Sequence, residues 1–412
     1  MYDELKGAYQ KTPMDIRALA EKNRDYIIER RRYYHQNPEL SMKEYETTAA
    51  IRADLEALAA ESGVANLDIQ TFEDYPGLTA LLDTGKPGRT LLLRADIDAL
   101  PIQECTGLPF ASRNPGVMHA CGHDTHIAML LGAAKILMEP SVRETLRGKV
   151  KFIFQSAEET AGGSKYYIEH GVLDGVDAVF GLHTWGTLPA PYLCVDSGKR
   201  MASTDNFTIK IKGLKAHGAA PHLGHDAIVA ASAVVMALQS FVSRENDPLN
   251  PLVLTVGKFH GGNMYNTICG DTELEGTIRT FSNELRNKLE EDLSSIVSNT
   301  AAAYGCTAEL AIRHMHPAII NSSEELNRIA RDAATKLYGE EGIRSMDSLM
   351  SGEDFSLYME KVPGFFGFVG AYNEEKGLVH SNHHEKFTAD EDALERGSAL
   401  TAQFAADYLW GE

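Results

Sequence analysis

The sequence predicts an α/β protein: a mostly parallel sheet with helices, carrying a smaller α+β domain inserted within it. Three observations lead there. Short apolar runs alternate with helical stretches over the first and last parts of the chain, as buried parallel strands and their crossovers do. The middle changes to strands that alternate apolar and polar residues. A chain of 412 residues is also too long for one ordinary core, so two domains are expected.

Taken in order, Asp15–Ala60 has helical periodicity around HQNPELS. Strand-like runs follow: LTALLD (78–83), TLLLRADID (90–98), KVKFIFQ (149–155), DAVFGLH (177–183) and GFFGFVGA (364–371), each read as a buried parallel strand. The helical stretches HIAMLLGAAKILM and SKYYIEHGVL lie between them. In the middle, NFTIKIKG (206–213) reads as a half-solvated strand and DAIVAASAVVMALQSFVS (226–243) as an apolar helix. PLVLTVGKFHGG and TELEGTIRT are two strands, ELRNKLEEDLSSIVSNTAAAYG (284–305) is an amphipathic helix and AELAIRHM (308–315) a closing strand. That order, β-α-β-β-α-β, is the split ferredoxin-like unit. The expected division is 1–201 with 317–412 as one domain and 202–316 as the insert.

Asp plus Glu outnumber Lys plus Arg by 58 to 39, a formal charge of −19. Nucleic acid and anionic membrane surfaces are disfavoured as partners, since both call for a basic face. The N-terminal stretch is charged throughout and has no apolar signal core. The run IAMLLGAAKILM has only twelve residues and contains Lys135, too short to span a bilayer. Cys105, Cys121, Cys194, Cys269 and Cys306 are an odd, widely spaced set, unlike a disulfide framework. A cytoplasmic protein is expected.

The polar residues collect where ligands bind in α/β sheets, beyond the carboxyl ends of strands. Asp96 and Asp98 end one run, Glu158 and Glu159 follow another, and His183 ends a third. VHSNHHEKF (379–387) follows the last run, and MHACGHDTH (118–126) precedes a helix. Singly, each has an ordinary explanation. The glutamates suit a solvated helix start, His183 a hydrogen-bonded structural role, Cys121 a small buried hydrophobe, and Asp96 or Asp98 a turn cap. Together, those explanations require a coincidence at every strand end.

Imidazole, thiolate and carboxylate together are ligands for zinc or a similar divalent transition metal. Cys121 and His123 stand just before a helix N-terminus, whose dipole favours the thiolate. A bridging thiolate suits two metals about 3.5 Å apart, with Glu158 and Glu159 supplying one ligand and one base. Two other readings of the segment stay open: Cys121 as a nucleophile with His123 as its base, and a non-catalytic metal-binding protein. The patterns H-E-x-x-H, G-x-S-x-G, Walker A, paired dinucleotide-binding glycines and C-x-x-C are absent from the sequence.

Further motifs extend almost end to end: RRYYHQNPELSMKEYETT, RADIDALPIQE, GVMHACGHDTHIAMLLGAAKIL, FIFQSAEETAGGS, FGLHTWGTLP, KAHGAAPHLGHDAI, GGNMYNTI, GTIRTF and SGEDFSLY. The chain resembles the aminoacylase-type metallopeptidases, in the subgroup of bacterial N-acyl-amino-acid amidohydrolases, hippurate hydrolase and plant auxin-conjugate hydrolases. The resemblance implies a metallohydrolase domain with an inserted lid and dimerisation domain. It implies that Cys121, His123, Glu159, His183 and His383 ligate two divalent ions (zinc, manganese, nickel or cobalt). Glu158 would be the general base and acid, and Asp98 would orient a ligand. His217 would polarise the scissile carbonyl across a dimer interface, and Asn266 and Arg279 would hold the substrate's carboxylate. The implied substrate is a small-molecule N-acyl amino acid or dipeptide-like conjugate, and the implied assembly a homodimer or higher homo-oligomer. A carboxypeptidase or dipeptidase with the same mechanism is the alternative. The chain departs from the family pattern at Ser156, where proline is common, and after His383, where the usual H-x-P-x-F is absent. Counting back from Phe387 selects His383 as the last ligand, with His380 and His384 as rivals. His225 receives no role.

Overall fold

The computed structural model describes residues 15–65 and 67–410. They form two compact units. The first comprises the chain up to Gly198, Asn321–Met346 and the chain from Tyr358 onward. The second comprises Lys199–Ile320 and Asp347–Leu357. Its long segment begins and ends within a few residues of the expected insert. The shorter segment, 347–357, also joins it, which neither periodicity nor the expected division foresaw.

In chain order the strands of the two main sheets are β1 (Asp68–Thr71), β2 (Gly77–Asp83), β3 (Thr90–Asp96), β4 (Lys149–Gln155), β5 (Ala178–Pro189), β6 (Leu193–Cys194), β7 (Thr204–Lys212), β8 (Leu252–Gly261), β9 (Asp271–Thr280), β10 (Thr307–His316) and β11 (Gly364–Tyr372). The longer helices are α1 (Arg24–Gln36), α2 (Tyr45–Glu61), α3 (His123–Met138), α4 (Ala227–Ser240), α5 (Asn283–Ala302), α6 (Glu324–Tyr338) and α7 (Leu394–Leu409).

The sheet of the first unit has the order β1-β2-β4-β3-β5-β11-β6. Its centre, β4-β3-β5-β11, is parallel, and β1, β2 and β6 add antiparallel flanks. LTALLD therefore corrects the expectation of a parallel strand: β2 pairs antiparallel with both neighbours. An unbroken apolar run reports burial on both faces and says nothing about direction. Nor does His183 end its strand, because β5 runs on to Pro189.

Every residue of α3 except Lys135 is buried. The helix packs against α1, α2, α7 and β3, so it has no use for a polar face. Phe180 lies 4.3 Å from Phe404 of α7 and 5.9 Å from Phe365 of β11, centroid to centroid, in the same core. The chain enters α3 through Gly122 at φ 95°, a left-handed conformation that side chains disfavour. That turn lies between Cys121 and His123.

The sheet of the second unit has the order β8-β9-β7-β10 and is antiparallel throughout. Both α4 and α5 pack on it, which is the ferredoxin-like arrangement. Asp226 caps α4 by accepting the Ile228 N–H at 2.9 Å, and Ser282 caps α5 by accepting the Leu285 N–H at 3.1 Å. The run Ala227–Glu245 is long and apolar enough to cross a membrane by composition. Its buried positions, Ala227, Ala230, Ala231, Val234 and Leu238, recur with the spacing of a helix covering a core. Ile228, Val229 and Met236 on the same helix are exposed. The segments where the chain enters and leaves the insert, Gly198–Met201 and Ile319–Asn321, pair with each other.

Asp205 of β7 is fully buried and accepts from Arg286 Nε at 2.9 Å and Arg286 Nη2 at 2.9 Å. Asp205→Ala would strand the Arg286 cation in the core and is expected to destabilise the protein by about 3–5 kcal/mol. Denaturant unfolding measures it. Asp205→Leu combined with Arg286→Met should recover most of the loss, because the remaining cost is that of the unpaired charge.

Candidate metal centre

The centre of the site is the Cys121 thiol. Its Sγ lies 3.5 Å from His183 Nε2 and 3.3 Å from His383 Nε2. Two groups of side chains share it: Cys121 with His123 and His183, and Cys121 with Glu159 and His383. Within each group the ligand atoms lie within 4.8 Å of one another. Ligand atoms around one zinc stand roughly 3.3–3.8 Å apart, from its bond lengths, so the spacing suits coordination. The structure brings His383 to the thiol, whereas His380 and His384 stack on each other with centroids 4.2 Å apart.

Each imidazole is aimed by its other nitrogen. His123 Nδ1 donates to the carbonyl of Asp98 at 2.8 Å and lies 3.1 Å from Asp98 Oδ1. His183 Nδ1 donates to the carbonyl of Thr184 at 2.8 Å. Both rings therefore present Nε2 to the site, which is how an outer partner fixes a ligand's tautomer. His383 is held at φ 68°, a strained conformation for a residue with a side chain, and its N–H donates to the Ala120 carbonyl at 2.7 Å. Asn382 clips the neighbouring segments together: its amide donates to the carbonyls of Cys121 (2.8 Å) and Thr184 (3.0 Å) and accepts from Gly186 (2.8 Å).

Asp98 ties the two glutamates to this frame. Its Oδ2 accepts from Ser41 at 2.7 Å and from the Glu159 N–H at 3.0 Å. The residues before Glu158 are clamped by buried Glu44, which accepts from Ser156 Oγ and from the Ala157 N–H, each at 2.9 Å. The Ser156 N–H donates to Tyr167 Oη at 3.1 Å. The departure at Ser156 thus has a structural use, since proline offers neither the N–H nor the hydroxyl. Ala157 itself sits at φ 61°, turning the chain so that Glu158 follows it. Glu158 is buried and forms a further group with His123 and Glu159.

Asp124 and His126 of MHACGHDTH have partners elsewhere. Asp124 accepts from Arg31 Nε at 2.8 Å and lies 2.8 Å from His35 Nδ1. His126 bonds Asp96 through Nδ1 at 2.5 Å and accepts the Thr184 N–H through Nε2 at 2.8 Å. His119 is buried and bonds nothing among the described residues, and burial pulls it down to about 4.

The electrostatics correct one expectation. Burial, and next the Glu159 and Glu158 carboxylates, hold the Cys121 thiol well above its usual range. The protein alone therefore keeps the thiol protonated, and the helix dipole does not win. Burial lowers His123, but Asp96 and Asp98 outweigh it and raise the ring to about 10. His123 Nε2 and Glu159 Oε1 are buried without a hydrogen-bond partner among the described residues. Orphaned buried donors and acceptors are rare and call for a partner. A divalent cation fits: it would engage both orphans, displace the proton from His123, and make the thiolate affordable among carboxylates.

The other residues singled out in the sequence, His217, Asn266 and Arg279, belong to the second unit. Exposed His217 accepts the Ala219 N–H through Nδ1 at 3.0 Å, so its neutral ring carries the proton on Nε2. The strand at Ala216–His217 pairs with Thr267–Ile268, and the Asn266 carbonyl accepts from Gly218 at 2.7 Å, which keeps Asn266 beside the His217 loop. Arg279 is half-buried on β9. Ser41, Glu44, Tyr167 and Asn382 were missed. Only Asn382 carried a local signal, lying inside the VHSNHHEKF cluster.

The sequence profile of peptidase family M20/M25/M40 matches residues 92–407. The chain belongs to that family. This M20 chain is a metal-dependent hydrolase of amide bonds. It is 40% identical to N-acetyl-L-cysteine deacetylase of Bacillus subtilis, over 97% of this chain and 94% of that protein. It is 37% identical to thermostable carboxypeptidase 2 of Saccharolobus solfataricus, over 93% of this chain and 95% of that protein. The crystal structure of the Bacillus subtilis YXEP protein, a dinuclear metal binding peptidase from the M20 family, aligns at a TM-score of 0.81. That alignment covers 94% of this chain and 99% of YXEP at 37% identity.

A raised thiol pKa lowers the thiolate fraction at every pH below it. In metal-free protein near neutral pH, iodoacetamide should therefore label exposed Cys105 while Cys121 stays unmodified. Peptide mapping reads the two sites. Rapid alkylation of Cys121 would restore the nucleophile reading.

Proposed function

We propose that this M20 chain hydrolyses N-acyl amino acids or small amino-acid conjugates that carry a free carboxylate. Cys121, His123, Glu159, His183 and His383 hold two divalent metals, with Asp98 orienting His123. The observation that carries the reading is the sharing of Cys121 by two ligand groups, so that its thiolate would serve both. Zinc, manganese, nickel and cobalt all accept this mixed donor set. When bound, such a pair supplies Lewis acidity, polarising the carbonyl and acidifying water.

The residues of the chain do the rest. Glu158 takes a proton from the attacking water and returns it to the leaving nitrogen. His217 donates from Nε2 to the developing oxyanion, and Arg279 and Asn266 bind the carboxylate. A second copy of the chain is the favoured partner: α4 exposes Ile228, Val229 and Met236, and the adjoining edge strand β8 exposes Val253 and Phe259 beside an edge that pairs with no strand among the described residues. Such a homodimer would supply His217 from the facing subunit. A cytoplasmic setting agrees with cysteines that are all free. Carboxypeptidase action is the second reading, favoured by the relative that bears that name at 37% identity.

Glu158→Gln should retain metal and lower kcat by about 10²–10⁴, with metal analysis and single-turnover hydrolysis as the check. Loss of metal instead would mean that the two glutamates exchange roles. Chelation should abolish turnover, and divalent ions should restore it. Cys121→Ala should reduce bound metal by more than His183→Ala, which touches one ligand group only. Elemental analysis of the purified proteins distinguishes them.

A further inference from the structure

Among the buried polar atoms of the second unit that lack a hydrogen-bond partner among the described residues are Arg279 Nη1 and His316 Nδ1. The sheet brings their residues to one place. Ile278 pairs with Asp205 on one side of β7, and His316 pairs with Thr204 on the other. Arg279, the residue after Ile278, and His316 therefore approach Thr204 from opposite sides. Ile278 faces the core of the unit, so Arg279 faces away from it.

The charges around them do not balance. Asp205 is the carboxylate whose charge Arg279 feels, yet it is already bound bidentately to Arg286. Arg279 is left as a cation with a buried, unused N–H. His316 is 5% exposed. Burial first, then the Arg279 and Arg286 charges, hold it at about 4, so the ring is neutral near pH 7. A neutral imidazole beside an arginine adds a hydrogen bond for an anion without adding repulsion. Its ring is also wedged: a Cβ at Gly352 would collide with the His316 ring and with the Thr204 hydroxyl.

We propose that His316 is a specificity-determining residue, whose Nδ1–H binds one oxygen of the substrate's carboxylate while Arg279 binds the other. A planar, two-oxygen acceptor matches two donors of this kind better than a carboxamide, which would turn an NH₂ toward one of them. The inference rests on the reading of the protein as a hydrolase of substrates with a free carboxylate.

The test compares kcat and KM of the metal-loaded protein on an N-acetyl amino acid and on its carboxamide. His316→Leu is expected to lower the acid-over-amide ratio of kcat/KM by about tenfold or more, with the loss falling on KM for the acid. His316→Asn, which places an amide N–H near the position of Nδ1, should recover most of the ratio. Should His316→Leu fail to fold, His316→Gln, which moves the donor away from that position, carries the same test. A ratio unchanged in these variants but collapsed in Arg279→Ala overturns the role of His316 alone. A wild-type ratio near one overturns the carboxylate reading and this inference with it.

Discussion

Asp96, Asp98, Glu158 and Glu159 all lie close to one buried imidazole, His123, and only limited positive charge accompanies them. His123 Nε2 is 3.7 Å from Asp96 and 3.9 Å from Glu159, and Nδ1 is 3.1 Å from Asp98. Arg94 neutralises Asp96 at 2.6 Å, and His123 is the cation nearest Asp98. Negative charge in a low-dielectric interior is costly unless paired. That constraint explains the raised thiol, the raised His123 and the orphaned atoms together. Around these side chains, α3, buried except at Lys135, the left-handed turns at Gly122, Ala157 and His383, and the Asn382 clip form the surrounding frame. Hydrolysis is a further use of the same arrangement, since a site that favours cations can polarise a carbonyl.

Much of this was legible in the sequence because the relevant signals are local. Strands and helices announce themselves by periodicity, and the polar residues follow strand ends within a few positions. The direction of β2 was not legible, because pairing depends on neighbours far along the chain. The clamp by Glu44 was hidden for the same reason: it joins Ser156 across 112 residues. The choice among His380, His383 and His384 turns on backbone conformation, and no composition rule states which of three histidines adopts a positive φ. The sign of the Cys121 shift was misjudged by weighing a helix dipole, an effect of about 1 kcal/mol, without the carboxylates that fold in from other strands.

The second unit illustrates a different limit. Arg279 and His316 look unrelated in the sequence, one in GTIRTF and the other just beyond a strand at the insert's end. Only the strand order β9-β7-β10 sets them on either side of Thr204. The later segment around Gly352 then closes against the same row. A motif such as SGEDFSLY can therefore owe its glycine to a steric neighbour in another part of the fold.

The pairing of Gly198–Met201 with Ile319–Asn321 has a consequence for how such a protein is assembled. Because the chain leaves and returns through hydrogen-bonded neighbours, the host unit meets the insertion as it would a hairpin turn. The loop-closure entropy of a long excursion grows only logarithmically with its length, and here the excursion has a core of its own to offset it. The host sheet can thus carry an insert of any length that brings its two ends back side by side. Exchange of the long inserted segment is, on this geometry, a local event at one ladder, whereas Asp347–Leu357 joins the same unit through a second excursion of the chain.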